Sequence, residues 1–215
     1  MQKKTYAVLG LGRYGTAVAK ELVKSGMEVI AVDKNEQIVQ DSSAYLPICK
    51  CADITDPEVI AELGISNADV VIVAMASSLE GSILAITLCK EAGVKTVIAK
   101  CANETHRKIL KRVGADMVVF PENESGTRLA KNLLTSGFTD ILTLSDDLSL
   151  VELTARDEWV GKSLKELNLR KKYTVNVVAF RKSGKITAPV NPEELLDKDT
   201  ELIAIVNTSR LSKLK

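Results

Sequence analysis

A short apolar segment followed by a glycine-rich turn constrains the fold of this chain more than any other feature. Residues 6–9 are apolar and lead into Gly-x-Gly-x-x-Gly, with the glycines at Gly10, Gly12 and Gly15. Residues 13–24 then carry apolar side chains at helical spacing. In such a turn the first glycine permits the bend, the second lets the backbone approach a pyrophosphate, and the third lets helix and strand pack closely. The pattern predicts a phosphate-binding turn at a helix N-terminus.

An acidic residue follows at the distance that such a turn requires. Residues 27–32 form a second apolar run that ends in Asp33, roughly twenty residues past the glycines. A carboxylate at this position accepts hydrogen bonds from ribose hydroxyls and repels a 2′-phosphate, although the neighbouring Lys34 weakens that repulsion. These residues favour an adenine dinucleotide that lacks a 2′-phosphate over NADP(H). The structural alternative is an ordinary strand–helix turn with incidental glycines.

Strands and helices alternate over residues 5–120. Further strands are predicted at residues 46–51, 68–74, 95–100 and 115–120. The segment at 68–74 is almost entirely apolar, which is typical of a central strand covered on both faces. Six strands with intervening helices predict an α/β fold with a Rossmann-like doubly wound parallel sheet. Ligands of such sheets bind beyond the carboxyl ends of the strands.

The predicted strand ends supply the candidate binding residues. In chain order these are Gly10, Leu11, Gly12, Arg13, Tyr14, Gly15, Asp33, Lys34, Asp53, Ile54, Ser77, Ser78 and Lys100. Within the glycine turn, the guanidinium of Arg13 suits phosphate oxygens. Three candidates have structural alternatives: Ser78 as a helix cap, Asp53 as the end of a strand, and Lys100 as a solvated cation. Glu122, after the last strand, suits a divalent cation or, alternatively, serves as a first-turn acid favoured by the helix dipole.

A small α+β domain is predicted after a helix at residues 122–137. Strands are expected at 150–155, 173–180 and 201–206, with a hairpin turn at 181–185. Ser163 is expected to cap a short helix over 164–167. We therefore predict two domains, residues 1–137 and 138–215.

Composition argues against several classes of protein. Of the 215 residues, 29 are basic and 28 acidic, for a net charge of +1, which does not favour nucleic-acid or membrane-surface binding. The longest apolar run, residues 70–76, is far shorter than a membrane span, and no signal peptide is recognisable. We expect a cytosolic protein. A DNA-binding repressor would need a helix-turn-helix and a basic face, and the sequence shows neither.

Residues suited to catalysis are scarce. The four cysteines are expected to be buried, reduced thiols, as is usual in the cytosol. A metal site at Cys49 and Cys51 would lack two further ligands. The single histidine, His106, is expected at the surface. The C-terminal part contains neither residue type and no nucleophile–base pair. A nucleotide fingerprint without such residues favours a sensor, with a soluble NAD-dependent oxidoreductase as the alternative.

The combination of motifs resembles the RCK family. The glycine turn with Arg13, the acids Asp33 and Asp53, the segments Ala115-Asp116 and Pro121-Glu122, and the small C-terminal unit are similar to cytosolic gating subunits of Trk/Ktr-type potassium uptake systems. The resemblance covers nearly the whole chain. It implies that residues 1–137 bind ATP, ADP or NAD(H), with the phosphates at the turn and Arg13, the ribose at Asp33 and the adenine near Asp53. Residues 138–215 would be regulatory.

The resemblance also implies partners. These are an integral-membrane potassium-translocating subunit at the inner face of the cell membrane and a homodimer that assembles into an octameric ring, with no nucleic acid. Glu122 would bind a divalent cation (Mg or Ca) at the dimer contact, and nucleotide exchange would shift the ring between two shapes that gate the pore.

A second ligand is implied for the C-terminal half. Gram-positive relatives bind cyclic di-AMP there between two subunits, and the matching residues in this chain are Leu169, Arg170, Asn176, Val177 and Pro192. The structural alternative is a solvated basic turn at residues 170–172. The short tail after Val206 departs from the family pattern and leaves the C-terminal contacts open.

Overall fold

A computed structural model describes residues 4–75, 77–134, 138–145 and 147–209, with only the backbone described at 138–141. The chain divides into two compact units, Met1–Glu122 and Asn123–Lys215. The sequence places the division later, at residues 137–138, so that the helix after the sixth strand belongs to the first domain. The domain bounds stay a prediction.

The first unit is built on a six-stranded parallel sheet with the order β3-β2-β1-β4-β5-β6. Because the order reverses between β1 and β4, this is the Rossmann-like doubly wound sheet that the sequence predicts. The switch point lies between those two strands. The elements of this unit, with the helix that continues into the second, are β1 (Thr5–Leu9), α1 (Arg13–Lys24), β2 (Glu28–Asp33), α2 (Glu36–Ser43), β3 (Ile48–Cys51), α3 (Pro57–Glu62), β4 (Val70–Val73), α4 (Leu79–Glu91), β5 (Thr96–Lys100), α5 (Glu104–Val113), β6 (Met117–Val119) and α6 (Pro121–Leu134).

Strand β1 lies at the centre of the sheet and is covered on both faces. Ala7 and Leu9 pack into one hydrophobic cluster and Val8 into another, and all three side chains are fully buried. At the amino ends of the strands, backbone N–H groups donate to two carboxylates: Thr5 N to Asp69 at 2.9 Å, and Val97 N to Asp116 at 2.6 Å.

The second unit contains a five-stranded antiparallel sheet with the order β10-β9-β11-β8-β7. Its core is built around Trp159, Phe180 and Leu202. Arg181 holds three adjacent strands together, because it pairs with both carboxylate oxygens of Glu152 and also contacts Glu201 at 3.4 Å. The elements are β7 (Phe138–Thr143), β8 (Leu148–Thr154), α7 (Leu164–Leu167), α8 (Leu169–Tyr173), β9 (Asn176–Lys182), β10 (Lys185–Thr187) and β11 (Glu201–Asn207).

The C-terminal predictions are partly right. Ser163 caps α7 with a capping box, and Ser183-Gly184 forms the β9–β10 turn. The predicted strand start at residue 173 is wrong, because α8 occupies 169–173 and Thr174 ends it in the left-handed region, at φ 59°. Strand β7 was not predicted. The predicted end of α6 at residue 137 lies outside the described residues.

The cysteines are free thiols with different environments. Cys89 and Cys101 are buried as predicted, and burial raises the pKa of Cys89 to about 11. The expectation of burial is wrong for Cys51, which is exposed near the end of β3, and Cys49 is half-buried. None of the helices in the described part of the chain combines the length and apolarity that a bilayer span requires.

Candidate functional site

A cavity of about 480 Å³ opens at the carboxyl ends of β1 to β4, at the switch point of the sheet. We refer to it as the cleft. Its wall is formed by the residues that follow each of these four strands and by side chains from the early turns of α2 and α4. Of the predicted site residues, those that line it are Gly10, Gly12, Asp33, Lys34, Asp53, Ile54, Ser77 and Ser78.

The three glycines serve different purposes. Gly10 has φ +97°, and an added Cβ would lie 2.9 Å from Cγ of Met75. An added Cβ on Gly15 would lie 1.9 Å from the carbonyl oxygen of Gly10, so only glycine permits this contact between α1 and the turn. An added Cβ on Gly12 would meet nothing within 4 Å. Because Gly12 lines the cleft and is the N-cap of α1, its missing side chain leaves open space for a ligand at the helix N-terminus.

Asp33 joins the glycine turn to the start of α2. Its Oδ2 accepts a hydrogen bond from Leu11 N at 2.6 Å, and its Oδ1 accepts one from Asn35 N at 2.9 Å. These contacts hold the carboxylate in place before any ligand binds. Each oxygen can accept a further hydrogen bond, so the group stays available to ligand hydroxyls.

Asp53 both shapes the turn after β3 and lines the cleft. Its Oδ1 accepts hydrogen bonds from Thr55 N at 3.0 Å and Thr55 Oγ1 at 2.7 Å. These bonds, the backbone one first, hold the pKa of Asp53 below its usual value, with a smaller contribution from Lys34. Asp53 is therefore charged at neutral pH. The adjacent Ile54 is buried and gives the wall an apolar surface.

Ser78 caps α4, as the structural alternative proposes. Its Oγ accepts a hydrogen bond from Gly81 N at 3.0 Å. Ser82 Oγ donates within 2.8 Å to the carbonyl oxygens of Met75 and Ser78, which fixes the loop between β4 and α4. Ser78 also lines the cleft together with Ser77, so this residue both caps α4 and forms part of the cleft wall.

Five predicted residues do not line the cleft. Leu11 and Gly15 are buried in the turn, and Arg13 is exposed at the first residue of α1. Lys100 is not a solvated cation, because its side chain is only 14% exposed and its Nζ lies 2.5 Å from Glu122 Oε1. The same Nζ lies 5.8 Å from the centre of the Tyr14 ring.

Glu122 is held in place by this ion pair with Lys100. The hydrogen bond from Lys100 is the largest cause of its lowered pKa. Within the described residues, no three or more His, Cys, Asp or Glu side chains come together in a way that would hold a metal ion.

Sequence reasoning missed several residues of the cleft wall. They include Ile38, Thr55, Met75, Glu80 and Leu84. Glu80 and Leu84 are four residues apart on α4 and so project from the same helix face. Leu84 is 42% exposed and adds apolar surface to the cleft wall. The signal that could have identified these two residues was their place in the first two turns of the helix that follows a predicted strand end.

The second predicted set lies in the second unit. Leu169 is 3% exposed and packs in the core, so its side chain does not face solvent. Arg170 is exposed on α8, and the Pro192 carbonyl oxygen accepts from Lys165 N at 3.0 Å. The remaining two residues, Asn176 and Val177, open β9 and pair with β11. Their role as a ligand site stays a prediction.

Comparison with known proteins identifies the family. A model of the TrkA-N domain matches residues 6–121, and a model of the TrkA-C domain matches residues 148–215. The Ktr system potassium uptake protein C of Bacillus subtilis (strain 168) is 35% identical over 213 residues, which cover 99% of this chain and 96% of the relative. The chain belongs to the Ktr/TrkA family of potassium uptake proteins. The Ktr system potassium uptake protein A of Vibrio alginolyticus is 33% identical over 99% of this chain and 97% of its own length.

Solved structures show the same fold for this Ktr-family chain. A structure described as the GsuK channel superposes with a TM-score of 0.72 at 18% identity, and the NAD-bound GsuK channel with 0.68 at 18%. Both alignments cover 99% of this chain, which spans 39% of the channel chains. A structure of the GsuK RCK domain superposes with a TM-score of 0.53. The RCK resemblance seen in the sequence is confirmed.

Proposed function

We propose that this Ktr-family chain is the cytosolic regulatory subunit of a potassium uptake system and that it senses an adenine nucleotide in the cleft. The observation that carries the proposal is the cleft itself. It lies at the switch point of the sheet. Its wall includes both the open position at Gly12 and the carboxylate of Asp33, which a backbone N–H group holds in place. The candidate ligands are ATP, ADP and NAD(H).

The nucleotide would lie with its phosphates at the N-terminus of α1. The turn offers backbone N–H groups there, and the exposed guanidinium of Arg13 is within the same turn. The ribose hydroxyls would donate to Asp33. The base would lie against the apolar wall that includes Ile54 and Leu84, with Asp53 at its polar edge.

Family membership supports the potassium system. Two relatives that are named Ktr system potassium uptake proteins align with this chain over nearly their full length. One structure of the same fold is described as a channel bound to NAD. We propose an integral-membrane potassium-translocating subunit as the partner, a location at the cytoplasmic face of the cell membrane, and homodimers that form an octameric ring.

Gating would follow from differential affinity. A ligand shifts a two-state ring only by binding one state more tightly, and moving the population from 1:99 to 99:1 takes about 5.5 kcal/mol. Coupled sites in a ring share that requirement.

A divalent cation at Glu122 would have to displace the ammonium of Lys100 from the carboxylate. Cyclic di-AMP at the second unit is a further proposal, which the placement of Arg170 on an exposed helix permits.

Thermal unfolding of the full chain with ATP, ADP, NAD, NADH and cyclic di-AMP tests the proposal. A ligand at about 100 times its dissociation constant adds about 2.7 kcal/mol, which raises Tm by roughly 5–10 °C for a chain of this size. Asp33→Asn should abolish most of the shift caused by ATP, ADP, NAD or NADH. The matched control, Asp41→Asn, removes an exposed carboxylate of α2 that does not line the cleft.

The competing function is a soluble NAD-dependent oxidoreductase. Both functions predict binding of NAD(H), so binding alone does not separate them. Steady turnover of NADH with a small carbonyl or alcohol substrate at enzyme-like rates would reject the regulatory function. Loss of nucleotide-dependent potassium uptake in cells that carry Asp33→Asn would support it.

A further inference from the structure

Glu80 is a charged residue of the cleft wall that the binding scheme above does not use. It lies in the first turn of α4, is exposed, and lines the cleft. Across the described residues, its carboxylate has no hydrogen-bond or ion-pair partner. The other two acids of the wall differ, since backbone N–H groups already hold Asp33 and Asp53.

The charge of the cleft wall is unbalanced. Three carboxylates line it, from Asp33, Asp53 and Glu80, whereas Lys34 supplies its one ammonium among the described residues. The wall therefore carries a net charge of two negative units at neutral pH. Arg13 is outside the wall and Lys100 is paired with Glu122. A phosphate in the cleft is attracted by the N-terminus of α1 and by Arg13, as in the binding scheme above, but the wall carboxylates also repel it, whereas they do not repel a neutral nucleoside.

A structural role for Glu80 makes a different prediction. An acid in the first turn stabilises a helix through the dipole, and Ser78 already caps α4. Loss of that role would change protein stability and would affect every ligand alike. An electrostatic role on the ligand must instead scale with ligand charge and weaken with added salt.

We propose that Glu80 determines how much negative charge the nucleotide site accepts, so that the cleft discriminates among adenine nucleotides by their charge. This inference rests on the proposed function, because it concerns the ligand of the same cleft. It assigns the site to the less highly charged members of the class, such as NAD(H) and ADP, in preference to NADP(H) and free ATP. A carboxylate without a partner is the wall charge most easily lost without disturbing the fold.

Isothermal titration calorimetry with adenosine, AMP, ADP and ATP tests the proposal on the full chain without divalent cations. Glu80→Gln keeps the shape of the side chain and removes its charge. We expect unchanged affinity for adenosine and a gain that grows with each phosphate, to roughly three- to tenfold for ATP at low ionic strength. The gain should fall towards none in about 1 M salt, where the screening length is about 3 Å.

Two variants separate charge from structure. Glu80→Asp keeps the charge and should leave the order of affinities as in the wild type. Glu58→Gln removes an exposed first-turn acid of α3 that does not line the cleft, and should change no affinity.

Each outcome bears on a definite claim. An equal change for adenosine and ATP, or a gain that salt does not reduce, would overturn the role of Glu80 while leaving nucleotide binding in place. Wild-type protein that binds none of the four ligands, nor NAD, would overturn the proposed function together with this inference.

Discussion

The glycine turn allows fold and binding to be separated with two alanine substitutions. Gly15→Ala and Gly12→Ala each add one methyl group to the same short turn. The added Cβ of Gly15→Ala lies 1.9 Å from a backbone oxygen, whereas that of Gly12→Ala has no neighbour within 4 Å. The first change should damage the fold, and the second should damage the site.

The magnitudes follow from these distances. A carbon and a carbonyl oxygen need more than about 3 Å, so Gly15→Ala forces α1 and the turn apart by roughly 1 Å. Overpacking of this kind should lower the free energy of unfolding by about 3 kcal/mol. Gly12→Ala costs below about 1 kcal/mol, because alanine is only a poorer N-cap than glycine. Its methyl group would occupy the space that a pyrophosphate needs, and should weaken nucleotide affinity by at least about tenfold.

Urea unfolding measures the first effect and isothermal titration calorimetry the second. The reasoning fails for the fold if Gly15→Ala unfolds at the wild-type urea midpoint. It fails for the site if folded Gly12→Ala binds NAD or ADP as tightly as wild type does, because the turn would then not hold the phosphates.

Three further predictions concern other parts of the chain. Asp116→Asn should lower the free energy of unfolding by about 1 kcal/mol at pH 7. The hydrogen bond from Lys90 lowers the pKa of the Asp116 carboxyl in the folded protein. The charged carboxylate therefore stabilises the fold above about pH 4, and urea unfolding at decreasing pH should show this stabilisation disappear as the pH falls through the folded pKa. Ser78→Ala should cost about 1 kcal/mol in the same assay, because α4 loses its cap. A thiol reagent at pH 8 should modify Cys51 in the native protein but Cys89 only after unfolding, and native reactivity at Cys89 would contradict its burial.

Much of the cleft was predictable because it is built from backbone at strand ends. The periodicity of apolar residues locates strands β1, β2 and β4, and the order of elements predicts a parallel sheet. The ends of parallel strands meet at one edge, so Gly10 and Asp33 were expected together, and both line the cleft.

Long side chains were less predictable than turns. The sequence places Lys100 at the same edge, but its four-carbon chain reaches Glu122 and leaves the cleft wall. Glu80 and Leu84 follow a strand end by one or two helical turns, and their spacing alone does not tell whether the helix face is turned towards the cavity or towards solvent.

The sequence by itself determined the alternation of strands and helices over residues 5–120, the glycine turn and the acid that follows it, because these depend on local backbone geometry and on burial patterns along the chain. Only the tertiary structure decided which charged groups neutralise one another. Lys100 pairs with Glu122, while Glu80 has no partner among the residues that the structure describes, and this depends on distances between residues far apart in sequence. Electrostatic energy falls with distance and is screened by water, so the charge of the site emerges only once the chain is folded.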